Sequence, residues 1–266
     1  MLAEAFALDA GEAQRLVDEL LETAGTRRFS VHLAGPDDAA ALLSLQVAAD
    51  VFLEAFGNTA ELLRDEYAPL LPSMTHLVVI DGVTRTAVGS LILQAAPAEE
   101  LKTVADLAAE PWWMPTDDAL AALGLRRGDR TVVDQLLLAV HPAYRKVGMA
   151  QLLMYAGWVL SVQRGIHLWT AILDEPLRLG MNELTDGALI PIGGAATQPY
   201  LGSAASTPVS IRMDPATDSA LMRRIARAGG VAAEHADFCA ALEAGHRTFQ
   251  TLAAQVRRGW TTRATP

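Results

Sequence analysis

The chain has 266 residues, 51% apolar and 20% charged, enough for one large domain or two small ones with a core that needs no cross-links. A formal net charge of −10 excludes the broad basic footprint of a nucleic-acid binder. A single cysteine, Cys239, excludes disulfides within the chain and fits a reducing, cytoplasmic setting, where it reads as a buried helical thiol. Residues 1–30 lack a basic head followed by an apolar run, and no apolar stretch is long enough to span a bilayer.

In chain order, Asp9 and Glu12 read as a capping box ahead of Leu16, Val17, Leu20 and Leu21, which predicts a helix over 9–24. Phe29 to Leu33 reads as a strand, and Gly35-Pro36-Asp37 turns into a helix that ends at Phe56, before Gly57-Asn58. A shorter helix to Tyr67 follows, then a hairpin of Thr75 to Ile80 and Ala87 to Leu93 about Asp81-Gly82. Residues 97–130 hold three prolines, the pair Trp112-Trp113 and a short helix near Asp117 to Leu123; an insertion this long is expected to be functional. Thr131 to Val140 is an apolar, partly β-branched run suited to a strand buried on both faces. Leu152, Leu153, Ala156, Val159, Leu160 and Gln163 then recur at helical spacing. A strand at His167 to Leu173, a helix at Glu175 to Leu184 and a strand at Ala188 to Ile192 come next. A Gly/Ser/Ala-rich connection over 193–207 leads to a last strand, Val209 to Met213. Two helices are expected beyond it, one from the cap Asp214-Pro215 and one over 234–258.

Between the strand and the helix lies Val140-His141-Pro142-Ala143-Tyr144-Arg145-Lys146-Val147-Gly148-Met149-Ala150. Pro142 has no N–H to donate and ends the ladder. The N–H groups of Val147 to Ala150 open a helix without intrahelical partners, and their partial positive charge suits a phosphate or pyrophosphate. Gly148 and Ala150 leave the backbone accessible, and Arg145 and Lys146 add full charge. No Gly-Lys-Ser/Thr follows a Gly-rich loop, which excludes a Walker site.

This V-x-P-x-x-R-x-x-G-x-A unit resembles the acyl-coenzyme A binding motif of the GNAT acyltransferase superfamily. The resemblance implies an α/β (α+β) fold whose mixed, splayed sheet admits acetyl-CoA or another acyl-CoA as co-substrate. It divides the chain into an N-terminal helical extension (1–28), an acyltransferase domain (29–213) with the 97–130 insertion as a substrate cap, and a C-terminal helical extension (214–266). It also implies an oxyanion donor among the backbone N–H groups of Leu138, Ala139 and Val140, with Asn182 as a further cofactor contact.

Asp134 is the only ionisable side chain in the apolar strand, and a carboxylate there must be paired or solvated. It reads either as the general base that takes the amine proton or as half of an ion pair with one of the arginines. Its spacing to Val140 is similar to that in acyl-homoserine-lactone and N-acyl amino acid synthases, although Leu136 and Leu137 stand where those relatives have a Ser-Arg pair. Tyr200 reads as an acid for the departing thiolate or as a packing and substrate contact, because the Glu175 to Leu184 helix lacks the family's tyrosine. Trp112 and Trp113 are candidates to roof the substrate, though adjacent side chains cannot both face one way. His141 reads as a turn residue. No histidine pair has ligand spacing, so no metal is expected.

Three functions compete: N-acyl transfer to a small-molecule amine, a longer-chain acyl synthase fed by acyl-CoA or acyl carrier protein, and a non-catalytic acyl-CoA sensor. The stripe of Phe238, Leu242, Gly245, Phe249, Leu252 and Val256 either packs on its own domain or pairs helices in a homodimer.

Overall fold

The computed structural model describes residues 8–24, 28–145 and 148–213. Lys146, Val147, Cys239 and the whole of 214–266, with its two expected helices and homodimer stripe, lie outside the described residues. Helix α1 (Ala10–Ala24) is capped by Asp9, whose carboxylate accepts the N–H groups of Gly11 and Glu12 at 2.8 and 2.9 Å. Strand β1 (Phe29–Ala34) leads to α2 (Ala39–Phe56), which stops where Gly57 takes a left-handed φ of 72°. The short α3 (Ala60–Tyr67) precedes the hairpin of β2 (Met74–Asp81) and β3 (Thr86–Gln94).

The insertion folds as α4 (Lys102–Leu107) and α5 (Thr116–Leu123), then runs into β4 (Val132–Val140). After α6 (Met149–Gln163) come β5 (Leu168–Asp174), α7 (Glu175–Leu184), β6 (Leu189–Pro191), β7 (Gln198–Tyr200) and β8 (Ser203–Arg212). The 193–207 stretch is thus not the loop expected from its composition. Ser206 and Thr207 are buried in β8 and pair with Asp174 and Leu173, so cross-strand partners overrule weak local propensity.

One sheet runs in the order β1-β2-β3-β4-β5-β8-β6, with β7 also on β8. Every pairing is antiparallel except β4 with β5. Helices α2 and α3 pack on one face beside Ile92, Leu137 and Ala139. Helix α6 covers the other face with Leu152, Leu153 and Trp158, and α7 adds Met181. With both faces covered, all eight residues of β2 are buried. Gly157 lets α6 sit close to the sheet: a Cβ there would lie 2.7 Å from Leu91 and 2.9 Å from Trp169. The insertion has its own cluster, in which Val104, Leu107, Leu120 and Leu123 pack on Val132 and Leu168. It is built into the sheet's end as a wall, and its Lys102, Thr103 and Asp106 line the cavity described below. Among the described residues no single helix is long and apolar enough to cross a membrane.

Candidate active site

Two features of β4 open the sheet. It pairs with β5 only at Val132, Val133 and Asp134, against Leu168, Trp169 and Thr170, and beyond that point the strands part. On its other edge a bulge at Leu136 shifts the register, because Leu93 pairs with Gln135 while Ile92 pairs with Leu137. After the bulge Leu136, Leu138 and Val140 are half-buried along the gap, where burial on both faces was expected. His141 N–H donates to Val88 O at 3.0 Å on β3. Alternation along a strand then turns the N–H groups of Leu138 and Val140 toward the gap and that of Ala139 toward β3. Ala139 is buried against α2 and is not among the residues that line the gap.

A cavity of about 390 Å³ fills the gap. At its mouth the turn places Arg145, Met149 and Ala150 on the wall. Gly148 has φ 90°, a conformation that favours glycine, and accepts the N–H of Leu152 at 3.0 Å as α6 begins. Arg145 donates to Val140 O at 3.2 Å and pairs with Glu54 at 3.4 Å, and both groups are well exposed. Tyr144 ties the turn to the β2–β3 hairpin by donating to Asp81 Oδ2 at 2.9 Å. Burial raises the Asp81 carboxyl, but bonds from Arg28, Val83 and Tyr144 outweigh it and hold the group below its ordinary range. His141 is an exposed turn residue whose Nδ1 accepts the N–H of Ala143 at 3.4 Å.

The inner end is made of side chains. Asp134 is 1% exposed and accepts three bonds: Thr103 N–H at 2.5 Å, Thr103 Oγ1 at 2.7 Å and Thr170 Oγ1 at 3.0 Å. Among the described residues no arginine touches it, and a threonine cradle holds it. Burial pushes its carboxyl up to about 6 against those bonds, and the nearby Asp106 carboxylate adds to the rise. Beside it Lys102 Nζ donates to Asp106 Oδ2 at 2.7 Å, to Tyr200 OH at 2.8 Å and to Glu66. It also lies over the rings of Tyr67 and Tyr200. Tyr200 gives its own proton to Asp106 at 2.5 Å, and burial followed by the Asp106 charge drives its hydroxyl well above the ordinary tyrosine range.

Asp134, Tyr200, Leu138, Val140, Arg145, Met149 and Ala150 share one cavity. Asn182 does not line it; its Oδ1 is buried in α7 without a partner. Nor do the tryptophans. Trp112 packs behind Tyr200, with ring centroids 5.3 Å apart, and its Nε1 donates to Ala196 O at 2.7 Å. Trp113, at φ 52°, turns outward and is 68% exposed. Sequence reasoning missed Lys102, Thr103, Asp106, Gln135 and Thr170. One signal was available: Lys102 is one of two lysines in an arginine-rich chain, and it sits four residues before Asp106.

No family model and no curated protein sequence matches the chain. Its likeness is to solved structures. A CoA-dependent acyl-homoserine lactone synthase, BjaI, solved with SAM and isopentyl-CoA, is 16% identical. That match has a TM-score of 0.51 and covers 74% of this chain and 89% of the synthase. FeeM, an N-acyl amino acid synthase from uncultured soil microbes, is 15% identical with a TM-score of 0.52, covering 72% of this chain and 94% of FeeM. Identities this low speak for architecture alone. The open mixed sheet flanked by helices, which the chain shares with these proteins, is a GNAT-like fold.

Proposed function

We propose that the chain is an acyltransferase that moves an acyl group from acyl-CoA to the amine of a small molecule by direct attack. The observation that carries this reading is the parting of β4 from β5 just past Asp134. It sets the N–H groups of Leu138 and Val140, unpaired among the described residues, and a buried carboxylate along one cavity, whose mouth is the N-terminus of α6. Met149 and Ala150, with Gly148 and Arg145, would hold the CoA pyrophosphate there, and the free edge of β4 would run beside the pantetheine arm. As the N–C bond forms and the C–S bond breaks, the Leu138 or Val140 N–H donates to the oxygen that gains charge. Asp134 takes the proton of the attacking amine. A carboxyl raised to about 6 is ionised at neutral pH yet more basic than an ordinary aspartate. Tyr200 is assigned to substrate contact, since its proton is already committed to Asp106.

The longer-chain reading has an observation of its own. Val51, Phe52, Ala55 and Phe56 of α2 line the same cavity with Leu136 and Leu201, an apolar wall suited to an acyl chain. Release of CoA, measured over acyl-CoA donors from acetyl to long chain with a mixed amine panel, tests both readings. Turnover that peaks at acetyl supports the short-chain enzyme, and a peak at longer chains supports the synthase type. Tight CoA binding without transfer from any donor would overturn both and leave the sensor.

A further inference from the structure

Helix α4 has no cap of its own. Its N-cap, Leu101, is fully buried and offers no side-chain acceptor, and a helix of six residues holds its start poorly without help. The sheet supplies the acceptors instead. Gln94 Oε1, on β3, accepts the Lys102 N–H at 2.8 Å, and Asp134 Oδ2, on β4, accepts the next N–H, that of Thr103. Gln94 Nε2 also donates to Glu100 O at 3.1 Å, so one amide grips the chain on both sides of Leu101. These two bonds fix the amide's orientation, because a flipped Gln94 would set N–H against N–H and oxygen against oxygen.

Register links this grip to Asp134. The two residues are cross-strand partners on β3 and β4, so their side chains rise from the same face of the sheet toward the start of α4. Gln94 is buried and does not line the cavity, so it acts only through what it holds. What it holds carries Thr103, the source of two of the three bonds to Asp134. Burial raises the Asp134 carboxyl, and the Thr103 N–H followed by the Thr103 hydroxyl oppose that rise more than Thr170 does. The titratable groups beside Asp134 among the described residues are Glu66 and Tyr67 on α3, Lys102 and Asp106 on α4, and Tyr200 on β7. Strands β3 and β5 present the neutral Gln94 and Thr170.

We infer that Gln94 is a positioning residue for the base: it sets the start of α4 where the Thr103 N–H and Oγ1 both meet the Asp134 carboxylate. This rests on the transferase reading above, with Asp134 as the base. Without the grip, α4 loosens and withdraws donors that favour the ionised carboxylate, so Asp134 titrates higher.

The test uses the full chain and two readouts. One is the pH profile of kcat/KM from CoA release, with the best donor and amine of the panel above. The other is carboxyl-carbon NMR of aspartate-labelled protein, in which the Asp134 resonance is the one lost in Asp134→Asn. Gln94→Met keeps the side-chain length and removes both bonds. The acidic limb and the Asp134 titration should both move up by about one unit, the worth of a hydrogen bond to a charged group, with CoA affinity unchanged by calorimetry. Thr103→Val alone should move them the same way. Added to Thr103→Val, Gln94→Met should then contribute less than its full shift, because both act by one route. Gln94→Asn, whose shorter amide cannot span Glu100 O and the Lys102 N–H, takes its place if Gln94→Met fails to fold. A lowered melting temperature with limb and resonance both in place makes Gln94 a structural clamp and overturns the inference, as do fully additive shifts. A resonance that moves while the limb stays, or in a protein that transfers nothing, upholds the hold of Gln94 on Asp134 and overturns the base reading instead.

Discussion

The two ends of the cavity are built from different materials. At the mouth the useful groups belong to the main chain: the first N–H groups of α6 and those of Leu138 and Val140 on the free edge of β4. At the inner end they are side chains from α3, α4, β4, β5 and β7, namely Glu66, Lys102, Thr103, Asp106, Asp134, Thr170 and Tyr200. Main-chain donors survive side-chain replacement as long as the strand and helix persist. A carboxylate cradle changes with any one of its members. The mouth therefore suits a ligand shared by many proteins of this fold, and the inner end suits what is particular to this one.

Asp134→Asn should separate the ends most sharply. As the base, it should lower kcat by about 10²–10⁴-fold with little change in CoA affinity. Near-normal turnover with an unchanged acidic limb would give the proton another route. Gly148→Asp attacks the mouth, placing a side chain at φ 90° and a negative charge where phosphate would sit. CoA affinity should fall by about thirtyfold, roughly 2 kcal/mol, by calorimetry on protein with an intact melting transition. Unchanged affinity would break the assignment of the mouth. Gly157→Ala touches neither end and is the control for packing. Its methyl meets Leu91 and Trp169, so a cost of about 1–3 kcal/mol should appear in denaturant melts, with kcat preserved in the folded fraction.

The smallest effects sharpen the inner end. Thr170→Val removes one donor that favours the charged form of Asp134, so the acidic limb of the pH–rate profile should move up by about one unit or less. A limb that stays in place would show that Thr170 does not act on the base. Stability carries the same signature. The Asp134 carboxyl titrates near 6 when folded and near 3.8 otherwise, so the folded state holds a proton that the unfolded chain has lost between those values. The stability this contributes is full below pH 3.8 and is lost as pH rises through about 6. The melting temperature of wild type minus that of Asp134→Asn should accordingly shrink from pH 4 to pH 7. A constant difference would contradict the burial that raises this carboxyl.

Much of the mouth and of the element order could be read along the chain, because those signals are local. The ladder stops at Pro142, and Gly148 opens a helix with an apolar stripe, whatever lies elsewhere. Asp134 also announced itself, as a lone carboxylate in an apolar strand. Its partners did not. Thr103 and Thr170 lie 31 and 36 residues away, and nothing in their neighbourhoods marks them as acceptor-facing hydroxyls. Neither reading of Asp134, base or half of an ion pair, named the two threonines and the backbone N–H that hold it. Trp112 and Trp113 drew attention by size, but ring packing against Tyr200 and the left-handed backbone of Trp113 took them off the cavity wall.

By itself, the sequence determined the strand-turn-helix unit, the alternation of strands and helices over 29–192, and a buried carboxylate that had to be accommodated. These follow from backbone stereochemistry and hydrophobic period, which act over a few residues. Tertiary structure decided that 203–212 is one long strand, that the insertion is a wall, and that Lys102, Asp106 and Tyr200 form one network. Those outcomes depend on pairings between residues as far apart as Lys102 and Tyr200, 98 positions along the chain. The closing of such long loops is set by the whole core, and no local window of sequence contains it.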